Sequence, residues 1–442
     1  MQYNANIRDI WQVSSFAACN SVNSCYEPTA RMSIPEGKSV KTNRPLPTSV
    51  MAGYSAQNKV TLVRGGKDYF DLVLKMINQA VHTIHLQTYI YNDDETGKMV
   101  GTALMAAAKR NVAVFLMVDG YASQTLSSAF IDELKTAGIH FRFFEPLFKS
   151  RNFYFGRRMH HKILVTDARY AITGGSNIAD RYNDLPDSPA WLDYMVYVEG
   201  EVARELCVLC RRTWKGVPAE TAINACELNA PEFAFPHEES SKVRVRRNDW
   251  VKRKNEISNT YIEMLAIAQN RITILCSYFL PGRAITRLLK NAAKRGIEIR
   301  VITAGKSDIM ISKHAERWLY DMLLRHQIKI YEYQPAILHA KLASCDGEWV
   351  TIGSYNVNNI SAYASVELNL DIRNKAFASE VEHEMNQLIE KNCIPITAEL
   401  HSVKTNLFIQ FFRWLCYHTI SLIFTMVTFY YKRIDPSAVR KN

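Results

Sequence analysis

Two stretches of this 442-residue chain carry the same reactive side chains at the same spacing. The first holds His160, Lys162, Asp167, Gly174 and Asn177, within HHKILVTDARYAITGGSN. The second holds His339, Lys341, Asp346, Gly353 and Asn356, within HAKLASCDGEWVTIGSYN. A phosphodiester is the electrophile that suits these residue types. Its transition state gathers negative charge on equatorial oxygens, which two lysines and two asparagines converging on one phosphorus would stabilise. One imidazole can attack and form a covalent phosphohistidine. The other can protonate the leaving alcohol and then deprotonate the incoming one. No carboxylate cluster at metal-ligand spacing accompanies the motif, so neither a metal nor another cofactor is expected.

Strand geometry sorts the motif into faces. Residues two apart on a strand share a face, so His160 and Lys162 point one way, as do His339 and Lys341. His161 falls on the opposite face and reads as structural. Asp346-Gly347 is a strong hairpin signal, and Asp167-Ala168-Arg169 occupies the matching turn. The chain returns along Tyr170–Thr173 and Glu348–Ile352, bringing Asn177 and Asn356 back near the histidines. Within the candidate catalytic set, Asp167 and Asp346 therefore read more as turn and framework residues. Asp193, in WLDYMVYVEG, and Glu367, in ASVELNL, each head a later apolar strand. They are the candidates to sit behind the histidines and fix their tautomers, ordinary surface acids being the alternative. Arg157 and Arg158 precede His160 and could hold a second phosphate, or form a solvated basic loop.

The elements that must position these groups also come in duplicate. AAAKRNVAVFLMVDG (Ala106–Gly120) is echoed by NAAKRGIEIRVITAG (Asn291–Gly305), each a helix end, a basic pair and an apolar strand. Upstream, Phe70, Val73, Leu74, Ile77 and Val81 form one helical stripe, and Tyr261, Met264, Leu265, Ala268 and Ile272 form another. Apolar strands follow at Ile84–Tyr91 and Ile272–Phe279. Each half thus alternates helix and strand, the signature of a layered α/β domain. The expected fold is α/β, two pseudo-symmetric sandwich domains sharing one active site. Residues 1–50 read as a mobile arm, 51–215 as the first domain, 216–242 as a linker and 243–395 as the second domain. Residues 396–442 form an apolar tail.

Within that tail, Trp414–Tyr431 is nearly uninterrupted apolar and aromatic sequence with basic flanks. It can lie in a membrane interface, span a bilayer or pack on the protein, and the interfacial reading fits its polar interruptions best. The net charge of +11, from 54 Lys+Arg against 43 Asp+Glu, favours a polyanionic partner. Nine cysteines in no framework spacing read as reduced thiols. Cys207 and Cys210 form a CxxC with no second pair at zinc-ribbon spacing, and read as helix-face thiols. No signal peptide is evident at the N-terminus.

The duplicated pattern resembles the HKD signature of the phospholipase D superfamily, from about Asn58 to Asn392. Supporting stretches such as YIYNDDETGK, MVDGYAS, FGRRMHHK, GGSNIADRY and SYFLPGRA are most similar to the short bacterial cardiolipin synthases. The resemblance implies transfer of a phosphatidyl group to phosphatidylglycerol, with phosphatidylethanolamine a second candidate donor. It implies His160 as nucleophile and His339 as acid and base, although the residues alone leave the roles exchangeable. Hydrolysis to phosphatidic acid, a nuclease and a non-catalytic membrane-binding protein are the alternatives. An anionic membrane surface is the expected partner, on the cytoplasmic side, peripheral or tail-anchored, with no nucleic acid. Gln87 stands where relatives often carry Glu, which bears on the substrate pair.

Overall fold

The computed structural model describes residues 52–146, 157–214, 226, 232–363, 365–403 and 406–433. The proposed arm and all but the end of the proposed linker, Cys226 aside, lie outside them. In the first half, β1 (Asn58–Arg64), α1 (Lys67–Gln79), β2 (Thr83–Thr88), α2 (Glu95–Lys109), β3 (Ala113–Asp119), α3 (Ser128–Thr136) and β4 (His140–Phe144) alternate. The short β5 (Arg158–Met159), the hairpin β6 (Ile163–Thr166) and β7 (Tyr170–Gly174), β8 (Tyr194–Gly200) and α4 (Glu201–Thr213) complete it.

The second half repeats the plan. It comprises β9 (Lys242–Asp249), β10 (Lys254–Asn255), α5 (Glu256–Ile267), β11 (Arg271–Cys276), α6 (Arg283–Lys294), β12 (Glu298–Ala304) and α7 (Met310–Arg325). There follow β13 (Lys329–Tyr333), β14 (Lys341–Cys345), β15 (Trp349–Gly353), α8 (Asn359–Tyr363), β16 (Ser365–Arg373) and α9 (Lys375–Asn392). The chain closes with β17 (Cys393–Ile396), α10 (Ala398–Val403) and α11 (Leu407–Arg433). The first sheet runs β1-β8-β7-β6-β2-β3-β4. The second contains the same path, β9-β16-β15-β14-β11-β12-β13, with β10 and β17 added at its edges.

Period-2 alternation decides which core each strand serves. On β6, Ile163 and Val165 face a central core shared by both sheets, while Leu164 faces an outer one with α1, α2 and α3. The central core also takes Leu206 and Cys210 of α4, Leu368 and Leu370 of β16, and Val381 and Met385 of α9. Helices α5, α6 and α7 cover the outer face of the second sheet. The α1 stripe is shifted from the expected one. Tyr69, Phe70, Val73, Met76 and Ile77 are buried, but the helix ends at Gln79 and leaves Val81 65% exposed. In the second half α5 likewise ends at Ile267, so Ala268 and Ile272 pack from beyond the helix.

Two further expectations change. Cys207 of α4 is disulfide-bonded to Cys226, so not all nine cysteines are reduced thiols. Cys226 lies in the stretch of weakest periodicity, and no spacing rule connects it to a helix-face cysteine. The terminal helix begins at Leu407 rather than Trp414, capped by the Asn406 side chain accepting from the Ile409 amide at 2.8 Å.

Candidate active site

Each histidine is placed by the opposite half of the chain. The His160 amide donates to the Val366 carbonyl at 2.9 Å, and the His339 amide donates to Leu192 at 2.7 Å. Val366 and Leu192 immediately precede the two nominated carboxylates. The consequence is a reciprocal exchange. His160 Nδ1 pairs with Glu367 at 2.9 Å, and His339 Nδ1 pairs with Asp193 at 2.8 Å. A carboxylate can only accept, so each imidazole donates from Nδ1 and keeps its lone pair on Nε2. Both acids are buried.

The two carboxylates are held differently. Glu367 accepts from Ser365 at 2.7 Å and from Ser354. Asp193 accepts the Tyr194 amide at 2.9 Å. Where Ser354 stands in the second motif, the first has Gly175, and a Cβ there would lie 2.4 Å from Asp193 Oδ2. The shorter acid thus comes close to bare backbone, whereas the longer one is bridged by a hydroxyl.

The lysines close the site. Lys162 Nζ donates to the His160 carbonyl at 2.5 Å, and Lys341 Nζ makes the same bond to His339 and another to Ser277 Oγ at 3.2 Å. An ammonium has three donors, so each retains capacity for an anionic oxygen. Asn177 Oδ1 accepts the Ile90 amide at 3.0 Å, leaving its buried Nδ2 without a protein partner. Asn356 Oδ1 is met by Cys276 Sγ at 3.7 Å. Aromatic rings flank both imidazoles: Tyr89 lies edge-on to His160 at 4.8 Å, and Tyr182 to His339 at 5.2 Å. Trp191 stands 5.9 Å from His339.

The charges of the two motifs feel one another across the site. Burial holds the His160 imidazole below its ordinary value against the pull of Glu367, and Lys162 and Lys341 both add to the depression. Burial and Lys341 bring His339 down to about 4, Asp193 opposing. Burial would raise Glu367, but His160 and Lys162 outweigh it and hold the acid at about 2. Burial also lowers Lys341, with the Asp193 charge opposing, and brings Lys162 down to about 7. Neutral imidazoles with bare Nε2 atoms, beside lysines waiting for a counter-charge, are equipped to bind an anion and attack it.

That last property gives a proton linkage with a definite sign. An anion beside Lys162 raises its affinity for a proton from about 7, so above neutrality binding must take up a proton. Below that value this group imposes no pH dependence. Above it, until the raised value is reached, affinity is expected to fall about tenfold per pH unit. Titration calorimetry of tungstate binding in two buffers of different ionisation enthalpy will show the uptake. Equal heats in both buffers above neutrality would contradict the assignment.

The other expected site residues fall elsewhere. Asp167 accepts the amides of Val81, His82 and Thr83 at 2.9, 2.7 and 2.8 Å. Asp346 accepts those of Gln269, Asn270 and Arg271, each at 2.8 Å. Both sit in the left-handed region, φ 53° and 54°, at the hairpin turns. They brace β2 and β11 and do not join the His–Lys–Asn groups, which corrects their place in the catalytic set. Asp167→Ala is expected to cost about 2–4 kcal/mol of stability, since three amides lose a charged acceptor. Urea unfolding will show it, with the turnover of the remaining folded protein largely kept.

Arg157 and Arg158 are also corrected. Arg157 spans Asp249, at 3.0 Å, and Glu145, at 3.4 Å. Arg158 reaches Asp119 at 3.5 Å and the Glu145 carbonyl at 3.1 Å. Internal acceptors take both guanidiniums, so they brace the β5 segment and are not offered to a second phosphate. His161 lies on the opposite face as expected, buried, with Nε2 2.9 Å from Gln87 Oε1. Gln87 in turn donates to the Cys210 carbonyl at 2.9 Å. The departure at Gln87 therefore concerns the packing of α4 behind the site. Sequence reasoning missed Tyr89, Tyr182, Trp191, Ser354 and Ser365; only the Gly175/Ser354 difference between the motifs was a readable signal.

The family model described as cardiolipin synthase, phospholipase D-like domain, matches residues 73–192 and 261–389. Cardiolipin synthase B of Shigella flexneri is 34% identical over 339 residues, 76% of this chain and 81% of that one. Cardiolipin synthase 1 of Bacillus anthracis is 32% identical over 341 residues, 74% of this chain and 65% of that one. Among solved structures, the phosphatidylserine synthase of Haemophilus influenzae has a TM-score of 0.65 at 12% identity. The match covers 85% of this chain and 96% of the other, a likeness of fold.

Proposed function

The chain belongs to the cardiolipin synthase, phospholipase D-like family, and we propose that it works as a phosphatidyltransferase that makes cardiolipin by double displacement. The reciprocal histidine–carboxylate exchange carries this reading, because it gathers two complete His–Lys–Asn sets into one site. His160 Nε2 attacks the phosphorus of a donor phospholipid, forming the N–P bond as the P–O bond to the head-group alcohol breaks. His339, which takes up a proton on Nε2 when the anionic donor binds beside it, gives that proton to the alcohol. The hydroxyl of phosphatidylglycerol then loses its proton to His339 and attacks, and the N–P bond breaks as the new P–O bond forms. Lys162, Lys341, Asn177 and Asn356 stabilise the equatorial oxygens in both steps. His160 suits the nucleophile because its side chain is the more open, 20% exposed against 10% for His339.

A lipid substrate must be reached at a bilayer, and α11 supplies the means. Cys416, Tyr417 and Ile420 pack on the second-half core, while Leu407, Phe408, Phe411, Leu415, Leu422 and Met426 are exposed. One packed face and one bare apolar face favour a helix lying in the membrane interface over one crossing the bilayer. The test is mass spectrometry of lipids after incubation with phosphatidylglycerol liposomes. Cardiolipin with free glycerol supports the reading. Phosphatidic acid alone would make the protein a hydrolase, and unchanged lipid would overturn the proposal.

A further inference from the structure

Helix α6 carries Arg283, Arg287, Lys290 and Lys294 at i, i+4, i+7 and i+11, the spacing of a single stripe. Its other face, Ile285, Leu289 and Ala292, is spent on the core. All four cations line one cavity of about 570 Å³. Its opposite wall sets Trp318, Leu319 and Met322 of α7 and Tyr417 of α11 beside a further cation, Arg325, at the end of α7. The only acid in the lining is Asp321, whose carboxylate already lies 3.4 Å from His401. None of the four stripe residues is ion-paired among the described residues, whereas Arg157, Arg244 and Arg317 are each matched to a carboxylate. A basic row with no carboxylate of its own thus faces a partly exposed, largely apolar wall.

We propose that this groove binds the phosphate head groups of anionic phospholipids while the protein rests on a bilayer. The occupant follows from charge and from continuity. Tyr417, which closes the groove, lies on the same helix as the exposed Leu415, Leu422 and Ile423. When that apolar face enters the interface, the basic stripe is carried to the depth of the head groups. The apolar wall then accommodates the glycerol and the first acyl carbons. Helix α6 begins three residues beyond Leu280, which bridges to Asn358 next to the catalytic Asn356 loop. Occupying the groove therefore orients the active-site end of the second sheet toward the same surface. The inference rests on the phospholipid reading above.

The test uses the full chain and two triple variants of equal charge change. R287Q/K290Q/K294Q removes three of the four stripe cations, and K75Q/K98Q/K109Q removes three exposed lysines from the first half. Co-sedimentation compares phosphatidylcholine vesicles with phosphatidylcholine–phosphatidylglycerol vesicles. The stripe variant is expected to lose about 100-fold in partitioning onto the anionic vesicles, since each cation near a surface contributes about fivefold. The control variant should lose far less, and neither should change on neutral vesicles. Turnover of phosphatidylglycerol in detergent micelles should stay at the wild-type level in both. Equal loss in both variants would reduce the effect to net charge and overturn the groove. So would unchanged partitioning of the stripe variant, or release of the wild type from vesicles by millimolar inorganic phosphate. A loss confined to binding of a single-stranded oligonucleotide would equally overturn it. Absent micellar turnover in the wild type would instead count against the enzymatic reading.

Discussion

His160→Ala and His339→Ala are each expected to lower phospholipid turnover by at least about 10³-fold, whereas His161→Ala keeps most of it. The three histidines lie close in sequence or in motif, so the contrast tests facing rather than proximity. His160 is the atom source for the N–P bond, and no neighbour can replace it. His339 must protonate an alkoxide whose conjugate acid is weak, so its loss is felt in the first step. His161 bonds only to Gln87, and its removal costs packing and one hydrogen bond, about 2–4 kcal/mol of stability. Rates must therefore be normalised to folded protein by circular dichroism. A phosphatidyl ester of nitrophenol separates the two roles further, because that leaving group needs no proton. His339→Ala should release nitrophenol in a burst and accumulate phosphoenzyme, while His160→Ala should release none. The reverse pattern would exchange the roles, and equal loss in all three variants would defeat the strand-face argument.

How much of this was legible in the sequence depended on how local the physics was. The facing of His160, Lys162 and His161 follows from strand periodicity alone, and the structure keeps it. So does the turn at Asp346-Gly347, where both residues take positive φ. The first motif makes the same turn with Asp167 and Ala168, which only the repeat could have suggested. Arg157 and Arg158 were misread because their neutralising acids, Asp249 and Asp119, come from distant strands. The Cys207–Cys226 bond joins a helix to a segment without periodicity, so spacing gave no warning. The nominated carboxylates illustrate the boundary between the two cases. That an acid should stand behind each histidine was readable, but which acid serves which histidine was not. Pairing β5 with β16 decides that, and it is a contact between halves.

That exchange makes the second large prediction. Asp193→Asn and Glu367→Gln should each lower turnover by about 10²–10⁴-fold, since an amide can turn its NH₂ toward Nδ1 and favour the wrong tautomer. Their effects should sort by partner and not by domain. Asp193 lies in the same half as His160, yet its oxygen is 2.8 Å from His339. Asp193→Asn should therefore behave as a weaker His339→Ala, with much of its deficit recovered by the nitrophenol ester. Glu367→Gln should behave as a weaker His160→Ala and recover nothing. Residues acting as one unit are not additive, so adding Glu367→Gln to His160→Ala should cost almost nothing more. Adding it to His339→Ala should suppress the nitrophenol burst that His339→Ala alone still gives. Ser354 and Ser365 keep Glu367 in place, so Glu367→Asp, which shortens the reach to His160, should recover only part of the rate. If Asp193→Asn proved insensitive to the leaving group while Glu367→Gln was rescued, each acid would be serving the histidine of its own half. The pairing seen here would then not be the one that works in turnover.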